Sequence, residues 1–180
     1  IVRILDNRTY EEAIALDFST ATGNTLAIEA ADGARPLLRL TAPLRLSGNR
    51  PDYSFTLSGL MIEGRVAIDG SLRRLRLLHS TLVPGASIAE TDPPAPPPPV
   101  EPSISAASAM TMGAIANTEL AVEIAFSICG PLRVPAHAEG VVALDSIIDA
   151  AGIDAIAGLA ADEPGPALRS ERVTIRGRML

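Results

Sequence analysis

The chain has 180 residues, 47% of them hydrophobic, with a mean hydropathy of +0.27, which excludes a disordered chain and leaves room for one sizeable core or two small ones. Fifteen basic residues against 21 acidic ones give a net charge of −6, which argues against a nucleic-acid partner, since such binding needs concentrated positive charge to release counterions. One Cys excludes an internal disulfide framework.

With only 3% aromatic residues, the core must be built from Leu, Ile, Val and Ala. Side chains of that size suit a narrow interior of thin layers. All of the basic residues are Arg, with neither Lys nor Gln present; this is read as compositional bias rather than as selection for bidentate anion contacts.

Residues 1–52 read as short strands: Ile1–Leu5, Ile14–Phe18, Leu26–Ala30, Leu37–Leu40 and Leu44–Leu46. Turn signals fall between them at Thr22-Gly23-Asn24, Asp32-Gly33 and Gly48-Asn49. Thr9-Tyr10-Glu11-Glu12 also fits a helix capping box, and a short helix there would cover the open end of a solenoid. The alternation that follows in Ile14–Phe18 favours strand.

From residue 55 a spacing recurs in which two alternating apolar positions are followed by a small residue and a further apolar one. The copies are Phe55-Leu57-Leu60-Ile62, Leu75-Leu77-Ser80-Leu82, Val122-Ile124-Ser127-Cys129 and Val141-Ala143-Ser146-Ile148, with a weaker copy in Leu168-Ser170-Val173-Ile175. A period of about 20 residues built from short alternating segments is the mark of a solenoid. It places Leu60, Ser80, Ser127, Ser146 and Val173 in one inward column, and Gly59, His79, Phe126, Asp145 and Arg172 in an outward column beside it. Corners are expected at Gly64, Asp69-Gly70, Pro84-Gly85 and Gly130-Pro131.

Between the second and third copies lies Pro93-Pro94-Ala95-Pro96-Pro97-Pro98-Pro99, which cannot join a hydrogen-bonded ladder. Residues 86–103 are therefore read as a loop thrown outward from one corner, with a strand returning through Met110–Ala114. Residues 149–167 are ambiguous: Ile153–Ala157 reads as a helical turn, although Gly152, Gly158 and Gly165 disfavour a long helix. The longest apolar region, Gly140 to Ala161, carries Asp145, Asp149 and Asp154, which argues against a membrane span.

The segments Leu75–Leu82, Val122–Cys129 and Val141–Ile148 resemble the right-handed parallel β-helix proteins of the pectate-lyase-like superfamily. The resemblance covers about residues 26–177. It lies nearest to β-helix segments of uncharacterised bacterial proteins and of phage-tail or contractile-injection assemblies. The expected fold is all-β, a single-stranded right-handed parallel β-helix with about 20 residues per coil, forming one domain over residues 1–180.

Two functions follow from different classes. The first is a non-enzymatic structural or interaction module of a larger bacterial or phage-type assembly. Its neighbour would be a protein partner or the rest of a longer chain, consistent with a sequence that starts at Ile1 without Met. The resemblance implies the second, a polysaccharide lyase or glycoside hydrolase using Asp145, Asp149 and Arg172. In that reading Asp145 is a Ca²⁺ ligand or general acid, Arg172 is a base or clamp, and Asp145 with Asp149 spans the separation of about 5–9.5 Å that glycoside hydrolysis needs. The scarcity of aromatic platforms weighs against it.

No cofactor or metal site is expected: calcium loops and zinc spacings are absent. His79 beside Ser80 suggests a base and a nucleophile, but adjacent strand residues face opposite ways. Cys129 fills an inward position. Arg73-Arg74-Leu75-Arg76 is the only basic cluster and is read as a solvated strand edge beside acidic segments. The compartment is open: cytoplasm, or an assembled extracellular or phage-like particle.

Overall fold

Two-residue alternation of apolar and polar side chains makes short strands with one wet and one dry face, and such strands recur along this chain. The computed structural model describes residues 1–83, 101–106, 110–111, 114–115, 117–160 and 162–180. Every regular element among them is a β-strand. The Pro-rich run expected as an outward loop lies outside the described residues, save for residues 101–103 at its end.

The strands form three parallel ladders that the chain visits in turn. The first holds Val2–Ile4, Thr25–Ala30, Asn49–Ser58, Ser71–Leu78, Ala121–Ala125, Gly140–Leu144 and Leu168–Glu171. The second holds Thr9–Glu12, Leu37–Leu40, Met61–Glu63, Thr81–Val83, Ile128–Cys129, the start of Ile147–Ala157, and Thr174–Met179. The third holds Ala15–Asp17, Leu44–Ser47, Val66–Ile68, Ile104–Ala106, Leu132–Arg133 and the end of Ile147–Ala157. Each passage through the ladders is one circuit, and each circuit pairs parallel with the one before it, with register shifts between Leu72 and Arg74 and along Asp149–Ile156. This is the stacked all-β arrangement that the period implies.

Two local expectations change, and the strand favoured near the start of the chain forms. Thr9–Glu12 is a strand, with Leu37–Leu40 alongside it, and not a capped helix. Ile147–Ala157 is one continuous strand, so no helical turn forms at Ile153–Ala157. After the Pro-rich run the chain re-enters the third ladder at Ile104–Ala106. Met110–Thr111 and Ala114–Ile115 instead pair antiparallel with each other, outside the three ladders.

The core is a stack of like upon like. One column reads Ile28, Leu57, Leu77, Ile124 and Ala143; a second reads Leu38, Ile62, Leu82, Cys129 and Ile148; a third reads Leu44, Val66, Ile104, Leu132 and Ile156. All are buried. Three of the five aromatic residues meet in the core, where Phe18 stacks on Tyr53 with ring centroids 4.2 Å apart and leans on Phe55. Where circuits approach most closely only glycine fits: a Cβ on Gly70 would lie 2.2 Å from the carbonyl oxygen of Gly48.

The corner between the first and second ladders repeats in detail. Gly59, His79, Phe126, Asp145 and Arg172 all have positive φ, between 46° and 72°. This conformation disfavours side chains by about 1–2 kcal/mol, yet four of the five positions are not glycine. The bend turns the chain while keeping its hydrogen bonds: the Gly59, His79, Phe126 and Asp145 amides donate to Leu78, Ala125, Leu144 and Glu171 carbonyls at 3.0–3.1 Å.

The residue after each bend then faces inward. The Leu60 amide donates to Ser80 Oγ, the Ser80 amide to Ser127 Oγ and the Ser127 amide to Ser146 Oγ, each at 3.1 Å. The three hydroxyls donate in turn to the carbonyls of Leu78, Ala125 and Leu144. A buried amide left without a partner costs its desolvation, so this column is a polar spine within an apolar stack. We expect Ser127→Ala, which strands the Ser80 amide, to lower unfolding free energy by about 1–3 kcal/mol in chemical denaturation. A change below about 0.5 kcal/mol, the range of ordinary surface substitutions, would show that the spine is not needed.

Candidate functional site

The bends that aim the serines inward aim their predecessors outward, and neighbouring circuits lie about 4.8 Å apart. Outward residues of one column therefore meet directly. His79 and Phe126 stack almost parallel, with ring centroids 4.9 Å apart and an interplanar angle of 2°. Next to them Arg172 grips Asp145 with two hydrogen bonds, Nε to Oδ1 at 2.5 Å and Nη2 to Oδ2 at 2.7 Å. Glu171 also pairs with Arg172.

The pairing of Asp145 with Arg172 follows the sequence expectation. Asp149 belongs to a different place: it lies past the corner, on the second ladder, where Arg176 donates to it at 3.2 Å. Each carboxylate thus has its own Arg from the next circuit. The Arg172 guanidinium holds the Asp145 carboxyl below the usual carboxylate range, and Asp145 and Glu171 raise Arg172 further. A general acid needs the opposite shift, towards neutrality. Two shallow surface depressions lie elsewhere, one of about 190 Å³ beside Glu139, Val142 and Arg169, the other bounded by Pro51, Asp52, Arg73 and Glu119.

The imidazole and hydroxyl of the His79–Ser80 pair point apart. Ser80 is buried in the spine while the exposed His79 ring lies on Phe126. His137 is exposed. Cys129 is buried among apolar side chains, and desolvation pushes its thiol up to about 12, as expected of an inward core position and not of a nucleophile. Among the described residues no three His, Cys, Asp or Glu side chains gather in a way that could hold a metal ion. No helix among them is long and apolar enough to cross a membrane.

The basic cluster is matched by acids on following circuits. Arg73 reaches Glu119 at 3.0 Å, and Arg74 and Arg76 converge on Glu123 at 2.9 and 2.8 Å. Arg74 Nε is buried and close to Glu123, but its N–H is not aligned for a hydrogen bond. The same rule runs along the chain: Arg39 bridges Glu11 and Glu63, Arg45 meets Asp69, and Arg178 meets Asp154.

Sequence reasoning missed the apolar part of this face. The residue after each inward small position points outward at the start of the second ladder, and that column reads Met61, Thr81, Ile128, Ile147 and Thr174. Met61, Ile128 and Ile147 are 49%, 45% and 41% exposed, and Phe126 beside them is 56% exposed. The signal was present in the repeat as a spacer position, between the small residue and the last apolar one, that twice holds Ile. The result is an exposed apolar stripe, edged by His79 and the Asp145–Arg172 pair.

Comparison of the chain with known protein families, with curated proteins and with solved structures found no match.

Two outcomes follow. The Asp145 carboxyl should titrate below the normal Asp range by NMR and return to it in Arg172→Met; a normal titration in the parent chain would show that the pair does not persist in solution. Because its folded value is depressed, the stability this pair contributes is present above the unfolded Asp value and fades as pH falls through the folded one. The Cys129 thiol should resist alkylation at pH 8 in the native chain and react once the chain is unfolded; native reactivity at the rate of a free thiol would place it at the surface.

Proposed function

We propose that this chain is a single-stranded right-handed parallel β-helix of the pectate-lyase-like kind, one domain over residues 1–180, and that it serves as a non-enzymatic structural or interaction module of a larger bacterial or phage-type assembly. Parallel crossovers of this kind are right-handed in nearly all proteins, which supports the handedness. Three parallel ladders, visited in the same order along the chain, support the helical path.

The observation that carries the functional reading is the exposed stripe of Met61, Phe126, Ile128 and Ile147. Apolar side chains gathered on a rigid face and edged by polar ones are what a protein partner covers. Met61, Ile128 and Ile147 occupy one column, with Thr81 between the first two and Phe126 in the column beside it, so the stripe runs straight and suits an extended partner segment or a flat neighbouring surface. The residues of the alternative polysaccharide-cleaving reading are engaged in separate ion pairs with Arg172 and Arg176. The Asp145 carboxyl is moreover shifted away from acid catalysis.

Incubation with polyuronates and neutral glucans, followed by assay for new reducing or unsaturated ends, should give no turnover. Turnover that disappears in Asp145→Asn or Arg172→Met would replace this reading by a lyase or hydrolase. In parallel, the parent chain should bind a hydrophobic fluorescent probe that the Ile128→Glu, Ile147→Glu double variant loses while keeping its circular dichroism. Unchanged probe binding would mean that the stripe is not an accessible apolar surface.

A further inference from the structure

The apolar stripe lies in the middle of the stack, and its backbone is already engaged. Thr81 pairs with Met61 on one side and with Ile128 on the other, and Ile128 pairs in turn with Ile147. A partner therefore cannot join as a further strand and must pack side chain against side chain. The profile of the column is uneven. Met61, Ile128 and Ile147 project, the shorter Thr81 leaves a dip between the first two, and Thr174 continues the row beyond Ile147.

The columns on either side are ordered as well. One runs Gly59, His79, Phe126, Asp145 and Arg172. In the other, Glu63 and Val83 stand beside Met61 and Thr81, and Asp149 and Arg176 beside Ile147 and Thr174. A two-fold axis through Ile128 and parallel to its strand turns a second copy over, so that every column meets itself in reverse. Large positions then meet small ones: Ile147 of one copy fills the dip at Thr81 of the other, Met61 meets Thr174, and Arg172 meets the space at Gly59. Phe126 and Ile128 face their own counterparts near the axis. The polar positions match too, with Asp145 opposite His79 and Arg176 opposite Glu63. A two-fold axis along the stack through the same column gives the opposite result. It sets Asp145 against Asp149 and Arg172 against Arg176, and like charges face to face disfavour a contact.

We infer that the stripe is covered by the same stripe of a second copy of this chain, packed antiparallel about the axis through Ile128. The inference rests on the interaction-module reading proposed above and names its partner. Both copies use the same surface, so the contact closes on itself and the product is a dimer. Arg176 then holds Asp149 of its own copy and Glu63 of the other, just as Arg39 bridges Glu11 and Glu63 within one chain. With circuits about 4.8 Å apart, the column from Met61 to Thr174 is about 19 Å long. Such a contact is small beside the roughly 800 Å² that each partner buries in a standard interface. The dimer is therefore weak, with a dissociation constant on the order of 10⁻⁴ M.

The test is sedimentation equilibrium of the 180-residue chain at concentrations from about 10 μM to 1 mM, which bracket that constant. A monomer–dimer equilibrium without larger species is expected. Ile128→Glu sets two like charges against each other at the axis and should weaken the dimer by about tenfold or more. Circular dichroism and thermal melting report whether each variant is folded. Cross-linking then reads the direction of packing. Under mild oxidation Thr81→Cys should form a disulfide when mixed with Ile147→Cys and not when alone, since position 81 of one copy lies opposite position 147 of the other. The native Cys129 is buried, and the parent chain serves as its control. A parent chain that stays monomeric throughout overturns the proposal, as does a dimer that Ile128→Glu leaves unchanged or a Thr81→Cys chain that cross-links readily with itself. A monomeric, catalytically silent chain that still binds the hydrophobic probe would remove the self-pairing and leave the interaction-module reading in place. Turnover of a polysaccharide would remove the latter.

Discussion

The stacked part of this structure depends on parallel pairing held in register over most of each ladder. Once each strand lies about 4.8 Å from its equivalent in the next circuit, every side chain is confronted by the residue at the same position one circuit away. Apolar positions must then repeat as apolar, as in Ile28, Leu57, Leu77, Ile124 and Ala143. A hydroxyl placed inward must find a backbone partner in the neighbouring circuit, as Ser80, Ser127 and Ser146 do. A charge placed outward must find its opposite. The left-handed bend is what keeps this order through a corner: it is retained at Phe126 and Arg172 despite its cost to side chains, because a slip of one residue would turn every inward serine to the outside.

That constraint also accounts for how the acids and arginines are used. Exposed pairs contribute little stability individually, with a median of about 0–1 kcal/mol. Their value lies in specificity, since a circuit slipped out of register would bring Arg against Arg or acid against acid, which is unfavourable on adjacent strands. Arg39 between Glu11 and Glu63, Arg45 with Asp69, Arg172 with Asp145 and Arg178 with Asp154 all join successive circuits. The unusual wealth of arginine suits this task, because a guanidinium has enough donors to hold a carboxylate on each side. Asp145 and Arg172, which from sequence could be read as catalytic, belong to this system of vertical pairs.

How much of this was legible depended on whether a feature repeats. The inward column of Leu60, Ser80, Ser127 and Ser146 and the outward column from Gly59 to Arg172 were readable, because each copy of the spacing corroborates the others. The Asp145–Arg172 pair followed from the columns alone. Thr9–Glu12 was ambiguous because Thr and Glu at that spacing serve equally to cap a helix, and only pairing with Leu37–Leu40 decides it. Gly152 disguised Ile147–Ala157, a strand long enough to serve two ladders. The return strand was assigned too late in the chain, since Ile104–Ala106 follows directly on a proline-rich run and offers only three residues of alternation. The apolar stripe was hidden for a different reason. A periodic pattern says which positions face inward, and an isoleucine at an outward position is invisible until the neighbouring columns are laid side by side.

The stripe offers a different kind of surface from the ladders that carry it. Along the stripe the backbone is fully engaged in its ladders, so Met61, Phe126, Ile128 and Ile147 can offer only side-chain area, and a partner there is recognised by shape and apolar burial.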